Sequence, residues 1–106
     1  MDKDEAYRRH ILEAIAKIER YIKNLSFAEF LRDELIQDGV VRELEIIGEA
    51  SKNLSDNFKQ QHPELPWTKI SGTRDKLIHE YFGIDVEIVW RTISEDLKLL
   101  KIELSK

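Results

Sequence analysis

Apolar residues spaced three and four apart leave this chain little choice but helix. Tyr7, Ile11, Ile15, Ile18, Ile22 and Leu25 lie on one stripe of a first long helix. Ile36, Val40, Leu44, Ile47, Ala50 and Leu54 repeat the pattern over about 35–54, and Val86, Val89, Trp90, Ile93, Leu97, Leu100 and Leu104 carry it to the end. A further helix is expected after Pro66, carrying Trp67, Ile70, Leu77, Ile78, Tyr81 and Phe82 and stopping at Gly83. No segment alternates convincingly with period two, so no sheet is expected. The pattern predicts an all-α fold, an antiparallel bundle of four main helices plus a short one.

The short helix follows Ser26. Ser26-Phe27-Ala28-Glu29 has capping-box form, with Ser26 and Glu29 placed to satisfy each other's end amides. Ser55 is placed to cap another turn and Asp85 to cap the last helix. Pro63 and Pro66 end regular structure before the fourth helix. Gly39 and Gly48 interrupt the third helical stretch, each at a cost of about 1 kcal/mol against Ala, which marks close approach by another helix. Lys17, Arg20 and Lys23 lie off the first stripe and read as a solvated face.

The 106 residues fit a single domain, 1–106, without repeats or linkers. A chain this short leaves much surface exposed, so self-association would help it. Its net charge of −4 argues against a general basic coat for nucleic acid, although a local patch of Lys69, Arg74 and Lys76 is allowed. It has no cysteine, which excludes disulfides, thiol nucleophiles and Cys-based zinc sites and fits a cytoplasmic location. No apolar run reaches the roughly 18 residues of a membrane span.

Candidate chemistry narrows to one decapeptide. His10, His62 and His79 are far apart, and none has a second histidine at helical spacing, so no metal is expected. His10 reads as a helix-surface residue and His62 as a loop residue. Nothing resembles a serine nucleophile motif. Residues 74–83, RDKLIHEYFG, hold Arg74, His79 and Tyr81 together. On an ideal helix Arg74 and Tyr81 fall nearly in line, whereas Arg74 and His79, five apart, differ by about 140°. They could meet through a distortion, or through a second chain across a two-fold axis. The ordinary reading stays open: Tyr81 and Phe82 as core, Arg74 paired with a carboxylate, His79 as a satisfied half-buried residue.

RDKLIHEYFGID resembles the R-x4-H-x-Y signature of the HepT-like toxins of the HEPN superfamily. ILEAIAKIERYIKNLSFAEFL, VRELEIIGEASKNLS and PELPWTKISGTRDKLIHEYFGIDVEIVW resemble the same family in order and spacing, over roughly residues 7–104. The resemblance implies a HEPN-like homodimer that cuts RNA without a metal or cofactor in a cleft between protomers. Arg74 and His79 would then be catalytic. Asp75 would be a supporting residue, at a position commonly Asn in the family. The implied partner is an MNT-type minimal nucleotidyltransferase antitoxin, which neutralises such toxins by complex formation and by transferring AMP to the motif tyrosine, here Tyr81.

The residue types suit that chemistry. RNA brings its own nucleophile, the 2′-hydroxyl. A histidine titrating near ~6.5 can take and return a proton, and a permanently charged arginine can stabilise charge on the phosphate. The alternative is a non-catalytic helical dimer that serves as binding and regulatory partner of a nucleotidyltransferase.

Overall fold

The computed structural model describes residues 2–72, the backbone of 78, 79, 83 and 84, and residues 85–106. The chain folds as helices α1 (Lys3–Tyr21), α2 (Phe27–Leu31), α3 (Glu34–Asn53), α4 (Asp56–Gln60) and α5 (Trp67–Ser71). A two-residue ladder of β1 (Ile78–His79) and β2 (Gly83–Ile84) follows. The chain closes with α6 (Val86–Arg91), a π-helical turn (Thr92–Asp96) and α7 (Leu97–Leu104). The architecture is all-α, and no described helix is long and apolar enough to cross a membrane.

Local signals place the helix starts. Asp2, Ser26, Asp33, Ser55 and Asp85 each accept a hydrogen bond from a first-turn amide. The expected capping box at Ser26 is complete: Ser26 Oγ accepts from Glu29 N at 3.1 Å, and Glu29 Oε1 accepts from Ser26 N at 3.0 Å. These backbone and side-chain bonds to Ser26 hold the Glu29 carboxyl below its ordinary range. The first helix ends at Tyr21, earlier than its apolar stripe suggests. Asn24 takes φ 61°, a left-handed turn that asparagine tolerates better than most residues. Ile22 and Leu25 still pack against the core from that turn.

α1 and α3 run antiparallel, as their end contacts show. Tyr21, at the end of α1, meets Gly39 near the start of α3. Asp4, at the start of α1, accepts from Ser55 N at 2.8 Å and Ser55 Oγ at 2.6 Å just beyond the end of α3. Those two bonds, the hydroxyl's first, lower the Asp4 pKa. Between these ends the stripes interlock: Ile11, Ala14, Ile15 and Ile18 from α1 with Val40, Leu44, Ile47 and Ala50 from α3, all buried. The last helical rod adds Val89, Ile93, Leu97, Leu100 and Leu104. It runs antiparallel to α1, starting with Trp90 against Phe27 and Phe30 of α2 and ending where Arg8 Nη1 donates to the Leu104 carbonyl at 2.6 Å. Lys17, Arg20 and Lys23 are exposed, as their positions off the stripe require.

Two expectations are corrected. Of the helix expected from Trp67 to Phe82, the described part is α5, which ends at Ser71 with Gly72 as its cap, and residues 73–77 and 80–82 lie outside the described residues. Ile78 and His79 are extended and pair antiparallel with Ile84 and Gly83, so a minimal sheet exists where none was expected. Short apolar runs are ambiguous between the two periods, and Ile78, Tyr81, Phe82 and Ile84 are residue types that also favour strands. The second correction lies in the last rod. Its regular stripe hides a π turn, where Thr92 Oγ1 and Ser94 Oγ donate to the carbonyls of Ile88 and Trp90 at 2.8 and 2.6 Å. Hydroxyls that bond back to the preceding turn loosen the regular helical ladder.

The two helix-interior glycines differ. A Cβ on Gly48 would stand 3.4 and 3.5 Å from the carbonyl oxygens of Ile70 and Ser71, so α5 docks backbone-on against α3 there. A Cβ on Gly39 would meet only the Tyr21 ring at 3.3 Å, and that side chain is 37% exposed and able to yield. Gly39→Ala should therefore stabilise the fold by up to about 1 kcal/mol through helix propensity. Gly48→Leu should destabilise it by displacing α5. Urea unfolding of both variants checks the pair.

Candidate active site

Arg74, Asp75 and Tyr81 lie outside the described residues, and of His79 only the backbone is described. That backbone is extended and sits opposite Gly83. The helical-wheel relation between Arg74 and His79 therefore does not apply at the histidine, where the chain is a strand. What the structure defines in detail is the frame that delivers and receives this segment.

On the delivering side, α5 is held by an aromatic latch. Trp67 Nε1 donates to the Lys59 and His62 carbonyls at 3.2 and 3.0 Å. Its ring meets Phe58 at 6.2 Å, and Phe58 meets the His62 ring at 4.8 Å. Trp67 thus ties the end of α4 to the start of α5, and Gly48 seats the end of α5 on α3. On the receiving side, Asp85 Oδ1 accepts from Ile88 N at 3.2 Å and starts the last rod. These two anchors flank residues 73–84 in the chain.

A cleft of about 130 Å³ opens beside α5, walled by Leu44, Ile47, Leu65, Leu97 and Leu100, with Lys69 and Asp96 at its edge. Pockets that enclose small ligands begin at roughly 300 Å³. This cleft is too small and too apolar to hold a nucleotide.

The family model "Ribonuclease HepT-like" matches residues 11–106. A probable ribonuclease HepT of Thermococcus cleftensis is 49% identical over 94% of this chain and 91% of its own. A candidate RNase of Caldanaerobacter subterraneus is 44% identical over 90% of this chain and 85% of its own. A two-function protein of Methanocaldococcus jannaschii, named as gamma-glutamylcyclotransferase and candidate RNase, is 41% identical over the whole of this chain and 48% of its own. No solved structure matches. The chain belongs to the HepT-like ribonuclease family.

The W-x-x-I and Y-F-G-x-D flanks that carry the HepT-like resemblance now have partial physical explanations. Trp67 is the latch, Ile70 packs against the core, and Asp85 is a helix cap. The family's E-I-I-G-E-A run includes Gly48, the seat of α5. These residues hold the frame around the candidate site.

One cluster escaped the sequence reading. His62 and Glu64, from the loop before α5, meet Glu103 at the end of α7. Glu103 is held below the ordinary carboxylate range, first by its hydrogen bond with Glu64, then by Lys106, with His62 contributing. No spacing rule could have found it, because Glu103 lies 41 positions from His62. His10, by contrast, is exposed on α1 with its ring edge-on to Tyr7, as expected.

Replacing Trp67 by Phe keeps an aromatic body but removes the indole donor that the Lys59 and His62 carbonyls share with the backbone amides of His62 and Leu65. Trp67→Phe should lower unfolding free energy by about 1–2 kcal/mol, measured by chemical denaturation.

Proposed function

We propose that residues 1–106 form one HEPN-like domain that works as a homodimeric, metal-independent endoribonuclease, the toxin of a HEPN/MNT toxin–antitoxin pair. The observation that carries this reading is the family match across residues 11–106, which contains the whole R-x4-H-x-Y segment between its two anchors. Arg74 and His79 are the catalytic residues, with Asp75 supporting them. Two copies of each meet in a cleft between protomers.

In the proposed reaction His79 removes the proton from an RNA 2′-hydroxyl. The freed oxygen attacks the adjacent phosphorus, and the bond to the 5′-oxygen breaks. A protonated histidine returns a proton to that leaving oxygen, giving a 2′,3′-cyclic phosphate and a 5′-hydroxyl. Arg74 binds the phosphate and stabilises the charge that builds on its oxygens. Arginine is suited to this because its planar fork stays charged at all working pH values.

Regulation rests on Tyr81. An MNT-type nucleotidyltransferase binds the toxin and directs the Tyr81 hydroxyl to the α-phosphorus of ATP. Pyrophosphate leaves and AMP remains on the tyrosine. The modification adds bulk and negative charge beside the phosphate site, which opposes RNA by sterics and repulsion.

His79→Ala and Arg74→Ala should retain helical content and each lose RNA cleavage by at least about 100-fold, consistent with removal of an acid–base or charge-stabilising group. The assay is performed with chelator present at a concentration that leaves circular dichroism unchanged. Parental-rate cleavage by His79→Ala would sink the mechanism. No cleavage by the parent, together with tight binding to a nucleotidyltransferase, would favour the non-catalytic partner instead.

Incubation with the cognate nucleotidyltransferase and ATP should add the mass of AMP to the parent chain. Tyr81→Phe should show no such addition; an unchanged mass shift in that variant would place the modification elsewhere.

A further inference from the structure

Two carboxylates and an imidazole converge where the loop before α5 touches the end of α7. One donor atom from each of His62, Glu64 and Glu103 lies within 4.8 Å of the other two. The Glu103 side chain is only 9% exposed. His62 Nδ1 is buried and has no hydrogen-bond partner. Its 3.6 Å separation from Glu103 Oε1 is too long for a hydrogen bond.

Protein groups alone leave this arrangement incomplete. Lys106 reaches Glu103 Oε2 at 3.0 Å, but from a side chain that is 64% exposed, and it does not serve the oxygen facing His62. Glu64 and Glu103 already share a hydrogen bond, so an ion there would displace the proton between them. A buried nitrogen without a partner costs about 1–3 kcal/mol. A single divalent ion would give that nitrogen a partner while drawing on both carboxylates.

We propose that His62, Glu64 and Glu103 form a zinc-class divalent metal site that clips the end of the last helix to the loop feeding α5. Imidazole nitrogen and carboxylate oxygen bind zinc at about 2.0–2.2 Å, and three protein ligands plus water complete a tetrahedron. Glu64 is exposed and already in contact with Glu103, so a small rotation of its side chain closes the remaining gap. The imidazole selects zinc, cobalt or nickel over magnesium and calcium, which favour all-oxygen sites. The role is structural. The His62 carbonyl already holds the Trp67 latch, so fixing His62 fixes the anchor of α5. None of the three ligands belongs to the proposed cleavage machinery, and the site stands or falls independently of it.

The test uses the whole 106-residue chain, stripped with chelator and dialysed. ZnCl2 titration followed by calorimetry should give one ion per chain and a higher Tm, because an ion that binds only the folded state stabilises it. MgCl2 should give neither. His62→Ala and Glu103→Gln should lose the saturable isotherm. Glu64→Gln, at an exposed position, should keep the metal-free Tm and still bind zinc more weakly, which keeps the test valid if another variant fails to fold. Absence of saturable zinc binding by the parent would overturn the proposal. So would an unchanged isotherm in Glu64→Gln and His62→Ala, which would place the ion elsewhere.

Discussion

The antiparallel seam between α1 and α3 is the contact on which the other described elements depend. Ile11, Ile15 and Ile18 on one side and Val40, Leu44 and Ile47 on the other are almost fully buried. Burying side chains of this size contributes about 1.5–3 kcal/mol each, more than any surface ion pair can. α3 has a second duty. Around the same helix, Gly48 presents bare backbone to α5, and Gln37 Nε2 donates to the Phe30 and Leu31 carbonyls at the end of α2. A shift of α3 would therefore disturb the core, the short helix and the anchor of the candidate site together.

The chain from Ser55 to Trp67 works as a joint. Ser55 caps α4 and bonds Asp4 of α1. The Phe58 ring meets His62 at a tilt and Trp67 edge-on, and the Trp67 indole bonds across the turn. Glu103 comes from the far end of the chain to meet His62 and Glu64. Both termini of the fold are thus gathered near the entrance to α5. In the sequence, the R-x4-H segment of this ribonuclease-family chain follows α5 directly.

Much of this was legible in sequence, for identifiable reasons. The stripes on α1, α3 and the last rod are long, so the helical period outweighs local noise, and nearly every residue on them is buried or packed on the core. Caps at Ser26, Ser55 and Asp85 were readable because capping is a contact between residues two or three apart. The strand at Ile78–His79 was not expected because apolar spacing there satisfies a helix while the residue types satisfy a strand. Pairing between Ile78 and Ile84 chose the strand. The π turn was invisible because it keeps the apolar stripe in register while changing the backbone bonds beneath it.

By itself, then, the sequence determined an all-α chain, the helices that share a core, and membership of the HepT-like ribonuclease family. Each of these follows from short-range periodicity, local capping or an ordered series of motifs. Tertiary structure alone decided that Gly48 seats α5, that Trp67 latches it, and that His62, Glu64 and Glu103 share one small volume. These depend on how separate helices cross in space, and no spacing along the chain encodes the distance between side chains on different helices.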